Sequence, residues 1–270
     1  MLVAFAAVLC AMAVTMILAW MAQRALGNAG WVDVFWTFGS GATLAAAALW
    51  PETENATDRQ TLVACLVGLW SARLGLHLAY RVAGSEEEDK RYVALRKQWG
   101  ARFQQELLIF VAKQAPATAL LSLSVYAAAH AGAQALGPRD FLGAAILLFA
   151  IGGEALADEQ MRRFKASGAK APIMQQGLWG WSRHPNYFFE WLSWLAYPVI
   201  ALSAGYAWGF ASLLAPIFMY WILVHVTGIP PLEAQMLRSR GERYRAYQAR
   251  TSMFFPLPPK TVPPQEGVAA

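Results

Sequence analysis

Seven stretches of roughly 18–24 mostly apolar residues follow one another in this chain, at about 2–22, 31–50, 60–80, 107–130, 140–161, 186–203 and 206–227. A helix needs about 20 such residues to cross the hydrocarbon of a bilayer. Only helices and closed barrels can cross, because every backbone polar group must be satisfied internally. Charged residues make up 14% of the chain, well under the roughly 25% of a soluble domain. The pattern predicts an all-α integral membrane bundle of about seven transmembrane helices. It forms a single domain over residues 1–260, with a disordered tail at 261–270. The first stretch reads as a retained helix, not a signal peptide. No Lys or Arg precedes it, and it exceeds the roughly 7–15 residues of a signal core.

The net charge is +5 and the isoelectric point about 9.3. Nucleic acid is not the expected partner, because the basic residues gather in three places: Arg81 to Arg102, Arg162 to Arg183 and Arg238 to Lys260. Seven crossings put all three on one side, and "PETENATD" falls on the other. Positive residues mark the cytoplasmic side, so the N-terminus is expected outside and the C-terminus in the cytoplasm. Cys10 and Cys65 both fall inside apolar stretches and read as packing residues. Helical spacing in "RYVALRKQW" predicts a short interfacial helix in the 81–106 loop. The tail from Pro230 reads as an amphipathic helix on the cytoplasmic surface. Leu232, Met236 and Tyr244 face apolar material there, while Arg238, Arg240 and Arg243 face water. Prolines beyond Phe255 end it.

Ionisable residues at lipid depth are costly and mark candidate sites. Here they are Asp33, Arg73, His77, Lys113, Glu154, Asp158 and Glu190. Asp33, near the outer end of the second stretch, is either an interfacial cap flanked by Trp31 and Trp36 or a functional acid. Arg73 and His77 are i, i+4 neighbours on one face. Glu154, Asp158 and Arg162 recur at i, i+4, i+8, with Lys165 following. That stripe is either a buried ion-pair network or the lining for a polar ligand. In "WSRHPNYFFEW", Pro185 suits the first turn of a helix and Ser182 can help cap it. The helix start favours an anion, and Arg183 and His184 add charge and donors. Asn186 and Glu190 share a face, and Tyr187 offers a hydroxyl. A basic anchor at a helix end would explain Arg183 but not the inward Asn186 and Glu190. Acids and cations together suit a phosphate-bearing cofactor. No G-x-G-x-x-G, Walker motif or metal-spaced histidine pair is present.

"GLWGWSRHPNYFFEW", with "ADEQMRRFK" before it and "LEAQMLRSRGERYRAYQ" after it, resembles the C-terminal domain of the steroid 5-alpha-reductase-like family. "GWVDVFW" and "DKRYVALRKQWG" are similar to motifs of its bacterial branch, catalogued as a domain of unknown function. Together they span roughly residues 30–256. The resemblance implies a seven-helix, NADPH-dependent reductase of a bacterial inner membrane. A lipophilic enone (a steroid, isoprenoid or long-chain lipid) would come from the bilayer. Hydride would go to its beta carbon while an acid polarises the carbonyl. Carried onto this sequence, Asp158, Asn186, Glu190, Arg162 and Lys165 fall on cofactor-contacting positions. Glu154 stands where the steroid enzymes have asparagine. Arg183, His184, Tyr187 and Tyr244 complete the expected cofactor set. For the catalytic acid the resemblance leaves Asp33, Tyr80 and Tyr187, because Trp70 stands near where a tyrosine is expected on the third helix. Isoprenylcysteine and phospholipid methyltransferases share the RHP-x-Y motif and bind S-adenosylmethionine. They typically carry a Glu-Glu pair in the tail, where this chain has Glu233 alone. A non-enzymatic lipid carrier or assembly subunit is the third expectation.

Overall fold

The computed structural model describes residues 1–52, 56–85, 87–132, 135–168, 173–203 and 205–261. Most of the expected disordered tail, from residue 262, lies outside them. Thirteen α-helices are described: α1 (Leu2–Leu26), α2 (Trp31–Ala48), α3 (Asp58–Ala83), α4 (Lys90–Trp99), α5 (Phe103–Ala112), α6 (Gln114–Ala129), α7 (Pro138–Ala166), α8 (Leu178–Trp181), α9 (Pro185–Trp194), α10 (Ala196–Ala201), α11 (Leu214–Trp221), α12 (Ile229–Arg240) and α13 (Glu242–Arg250). Short 3-10 segments lie at Gly100–Arg102 and Ala207–Leu213, and a π turn at Ile222–Val226. No strand occurs among the described residues, so the expectation of an all-helical fold holds.

Among the described residues, five helical stretches, against the seven expected, are long and apolar enough to cross a membrane: Leu2–Leu26, Asp58–Ala83, Lys90–Ala129, Pro138–Ala166 and Ala207–Arg240. Two expected spans fall short for identifiable reasons. Helix α2 has 18 residues, but Asp33, three hydroxyl residues and two glycines dilute its apolar content. The stretch at 186–203 breaks into α9 and α10. Pro198 has no N–H for the Trp194 carbonyl one turn back, and α9 ends at Trp194. The short helix expected in the 81–106 loop is present as α4. The tail forms two helices, because Gly241 with φ 51° separates α12 from α13.

The chain divides into two compact units. The first comprises residues 1–145 and 195–215. There α2 packs on α1, α3 and α6, and α1 packs on α6. Helix α1 buries a stripe of Ala4, Val8, Met12, Met16, Ala19 and Gln23, spaced by three or four. Helices α2 and α3 approach closely because small residues meet. A Cβ on Gly41 would lie 2.0 Å from Ser71 Oγ, and that hydroxyl donates to the Thr37 carbonyl at 3.0 Å. Trp36 Nε1 donates to Thr118 Oγ1 at 3.1 Å, which ties α6 to the same face. A Thr57/Gln60 capping box starts α3. Gln60 then donates to the Trp50 carbonyl and bonds His130. Arg59 makes a buried fork with Asp140, Nε to Oδ1 at 2.7 Å and Nη2 to Oδ2 at 2.9 Å.

The second unit comprises residues 146–194 and 216–270. A Cβ on Gly153 of α7 would lie 2.3 Å from the Phe189 ring, so α9 rests directly on the α7 backbone. Trp179 Nε1 donates to the Ala157 carbonyl, and Leu178 N–H to Gln160 Oε1, both at 3.0 Å. Phe188, Trp191, Tyr220, Phe254 and Phe255 form an aromatic cluster that seats the chain end on α9 and α11.

Close approach of α2 and α3 yields a stability test. Gly41→Ala should cost about 1–3 kcal/mol through overpacking, and adding Ser71→Gly should recover part of the loss. Thermal unfolding in detergent reads both. A Gly41→Ala midpoint equal to the parent's would mean that the contact is loose.

Candidate functional site

Helix α9 begins where the polar cluster sits. Pro185 occupies its first position, and Ser182 Oγ accepts from the His184 N–H at 3.1 Å while donating to the Phe254 carbonyl at 2.8 Å. Around this turn the chain end is sewn down. The Arg183 N–H donates to the Ser252 carbonyl at 2.8 Å, and the Leu257 N–H to the Trp181 carbonyl at 3.0 Å.

The centre of the cluster is Glu233 of α12. Its Oε1 accepts from Arg183 Nε at 2.7 Å, His184 Nε2 at 3.2 Å and Tyr244 OH at 3.3 Å. Its Oε2 accepts from Gln248 Nε2 at 2.8 Å. The Arg183 and Glu233 side chains are only 9% and 14% exposed. Arg183 Nη1 also donates to the Thr251 carbonyl at 2.6 Å and the Gln248 carbonyl at 3.2 Å, capping the end of α13. Tyr247 OH closes the group by donating to the Trp179 carbonyl at 2.5 Å. Burial pushes the His184 imidazole below its ordinary value, against the raising pull of Glu233. Burial and then the Glu233 charge push the Tyr244 hydroxyl up. Both shifts favour the neutral side chains around one Arg–Glu pair.

Beside this node, α7 carries the expected stripe. Glu154 is buried, Asp158 half-buried, and Arg162 and Lys165 exposed. Arg162 Nε and Arg163 Nε both reach Glu159, each at 2.6 Å, and the Arg162 side chain is 68% exposed. On α9, Glu190 is buried and accepts from Trp194 Nε1 at 3.0 Å. Asn186 is half-buried one turn before it. Tyr187 stacks on His184 with ring centroids 5.9 Å apart.

Arg183, His184 and Tyr244 therefore gather on Glu233, with Tyr187 against His184. Arg183 is turned inward, not offered to a ligand. Glu233, Gln248, Thr251 and Glu159 were not picked out as site residues. Glu233 lies 50 positions from Arg183, so no local spacing pairs them. The remaining acid candidates lie in the first unit. Asp33 accepts from Arg91 Nη2 at 2.7 Å and Tyr92 OH at 2.8 Å, which occupies both its oxygens. These partners belong to the Arg81–Arg102 basic stretch, so Asp33 lies on the same side as that stretch. The pairing brings "GWVDVFW" and "DKRYVALRKQWG" together in space. Tyr80 is 76% exposed.

Among the described residues, no group of three His, Cys, Asp or Glu could hold a metal ion. Fold and site define a helical membrane protein with a buried Arg–His–Glu node beside an acid-to-base helix face. The chain belongs to the family described as "Protein of unknown function (DUF1295)", whose profile matches residues 19–251. It is similar to an uncharacterised protein of Schizosaccharomyces pombe, C594.04c. The two are 28% identical over 273 residues, covering 86% of this chain and 76% of that one. No solved structure matches it.

Removing one partner of a buried ion pair strands the other. Glu233→Ala and Arg183→Ala should each cost about 3–5 kcal/mol, and the double variant should cost less than their sum. A double-mutant cycle on thermal midpoints measures this. Additive losses would show that the two side chains act separately.

Proposed function

We propose that the protein is a membrane-embedded, NADPH-dependent reductase of a conjugated double bond in a lipophilic carbonyl substrate. The observation that supports it is the graded face of α7. Buried Glu154, half-buried Asp158 and exposed Arg162 and Lys165 follow one another along one helix, and α9, which carries Asn186 and Glu190, rests on that helix at Gly153. The donor set suits the cofactor. The carboxylates can accept from ribose hydroxyls and a carboxamide, and Asn186 can both donate and accept. Glu159 holds Arg162 and Arg163 at the exposed end, where a phosphate can displace a carboxylate from a guanidinium. When bound, NADPH supplies the hydride. Asn186, steadied from the turn below by Glu190, fixes the orientation that close approach of the reacting carbons requires. Tyr187, adjacent to Asn186, polarises the substrate carbonyl by hydrogen bonding. Asp33 is left out of that role because Arg91 and Tyr92 occupy it. Arg183, His184 and Tyr244 position α9 and do not hold phosphate.

The Arg183–His184–Glu233 node suits a methyltransferase of the isoprenylcysteine type equally well, since the RHP-x-Y motif is common to both classes. The cations on α7 favour the phosphate-bearing cofactor. Nucleotide co-purifying in detergent, identified by mass spectrometry, separates the two. S-adenosylmethionine in place of NADPH would reverse the assignment. Lys165→Ala should weaken NADPH about tenfold to a hundredfold, and NADH less. Asn186→Ala should abolish turnover in a folded protein. Parental turnover by Asn186→Ala would remove α9 from the site.

Orientation belongs to the same proposal, with the N-terminus outside, the C-terminus in the cytoplasm and seven crossings. With five crossings, no orientation puts the three basic stretches on one side. Helix α2 supports a sixth crossing. Its start bonds Arg91 and Tyr92 beyond the end of α3, while Trp50 beyond its end bonds Gln60 at the start of α3. It therefore runs the length of a spanning helix. The α9–α10 stretch then makes the seventh and returns the Arg238–Lys260 stretch to the side of the other two. A periplasm-active reporter fused after Ala270 should be silent. Strong activity would overturn the orientation.

A further inference from the structure

We propose that a cavity beside Arg139, at the start of α7, binds the phosphate of an anionic phospholipid headgroup. The cavity measures about 640 Å³ and is lined by Arg139, Leu202, Ser203, Tyr206 and Phe210, among others, all in the first unit. Its depth follows from the chain. Two membrane-crossing stretches, Pro138–Ala166 and Ala207–Arg240, begin at its rim. It therefore lies where headgroups lie.

Charge sets the ligand class. Arg139 is exposed and donates to the Leu202 carbonyl, which leaves its full positive charge in place. Among the described residues no carboxylate pairs with it. Its neighbour Asp140 is buried and taken on both oxygens by Arg59. Glu52 accepts from the Tyr126 hydroxyl, which in turn accepts from the N-terminal amine at 3.0 Å. Ser203 and Tyr206 place hydroxyl-bearing side chains along the wall of the same cavity. A guanidinium with hydroxyls around it suits a phosphate oxygen set.

Apolar surroundings decide between a lipid and a free anion. Phe141, Leu142, Trp208 and Phe210 are all strongly exposed beside the cavity. They offer a surface for acyl chains and glycerol that an inorganic ion would not use. An arginine that merely snorkels from a helix end needs neither the cavity nor the hydroxyls. The proposal does not depend on the reductase reading. Only the naming of the leaflet, the outer one, follows from the proposed orientation.

The test uses delipidated full-length protein in neutral detergent, titrated with phosphatidylglycerol, phosphatidylcholine or inorganic phosphate. Phosphatidylglycerol at tenfold its dissociation constant should raise the thermal midpoint by roughly 3–5 °C. Phosphatidylcholine should do less, and inorganic phosphate nothing. Arg139→Gln should lower the apparent phosphatidylglycerol affinity about tenfold to a hundredfold, and Arg139→Lys by less. If Arg139→Gln folds poorly, a Ser203→Ala/Tyr206→Phe double variant keeps the guanidinium in place and should itself bind more weakly. An unchanged phosphatidylglycerol response in these variants overturns the site. Equal stabilisation by inorganic phosphate overturns the lipid.

Discussion

Within a bilayer no water completes a hydrogen bond, so each polar group at depth must find its partner inside the protein. That requirement organises both units. In the first, Ser71, Trp36, Ser40 and Thr118 spend their polar atoms between α2, α3 and α6. Gly41 lets α2 and α3 come close enough for the Ser71 bond. In the second, the chain end supplies the partners. Carbonyls of Gln248, Thr251, Ser252 and Phe254 receive donors from the Ser182–Arg183 turn. Helix α9 is thus held by a segment that follows it by some 60 residues.

The polar cluster at the head of α9 divides into two parts. Arg183, His184 and Tyr244 close on Glu233 and leave little to offer a ligand. Asn186, Glu190, Asp158 and the α7 cations remain as the chemically varied face. A basic anchor and a polar site were alternative readings of one short motif, and its residues split between them. Arg183 is the anchor, though fastened to a buried carboxylate and not to headgroups. Asn186 belongs to the site only under the proposed function.

Helicity and the membrane setting were legible in the sequence because apolar run length and charge depletion report them directly. The short helix at Lys90–Trp99 was legible from its spacing. The break in the 186–203 stretch was not, because hydropathy does not register what one residue does to a helix. Pro198 breaks a run that composition alone leaves whole. Asp33 was seen as an acid at lipid depth, yet its partners Arg91 and Tyr92 lie 58 and 59 positions away. Glu233 was hidden in the same way. Pattern within a helix can be read from periodicity, whereas pairing between helices is fixed by packing that no spacing rule encodes.

The Glu233 node also bears on how such a chain can diverge. Arg183, His184, Tyr244 and Gln248 all bond one carboxylate, so a replacement at any of them alters the fitness of replacements at the rest. Losing the acid first strands a cation, and losing the cation first strands an acid. Viable routes pass through paired exchanges or through a lineage stable enough to tolerate the intermediate. Drift should therefore be slow at these scattered positions and fast on the lipid-facing surfaces between them, where one apolar side chain serves as well as another.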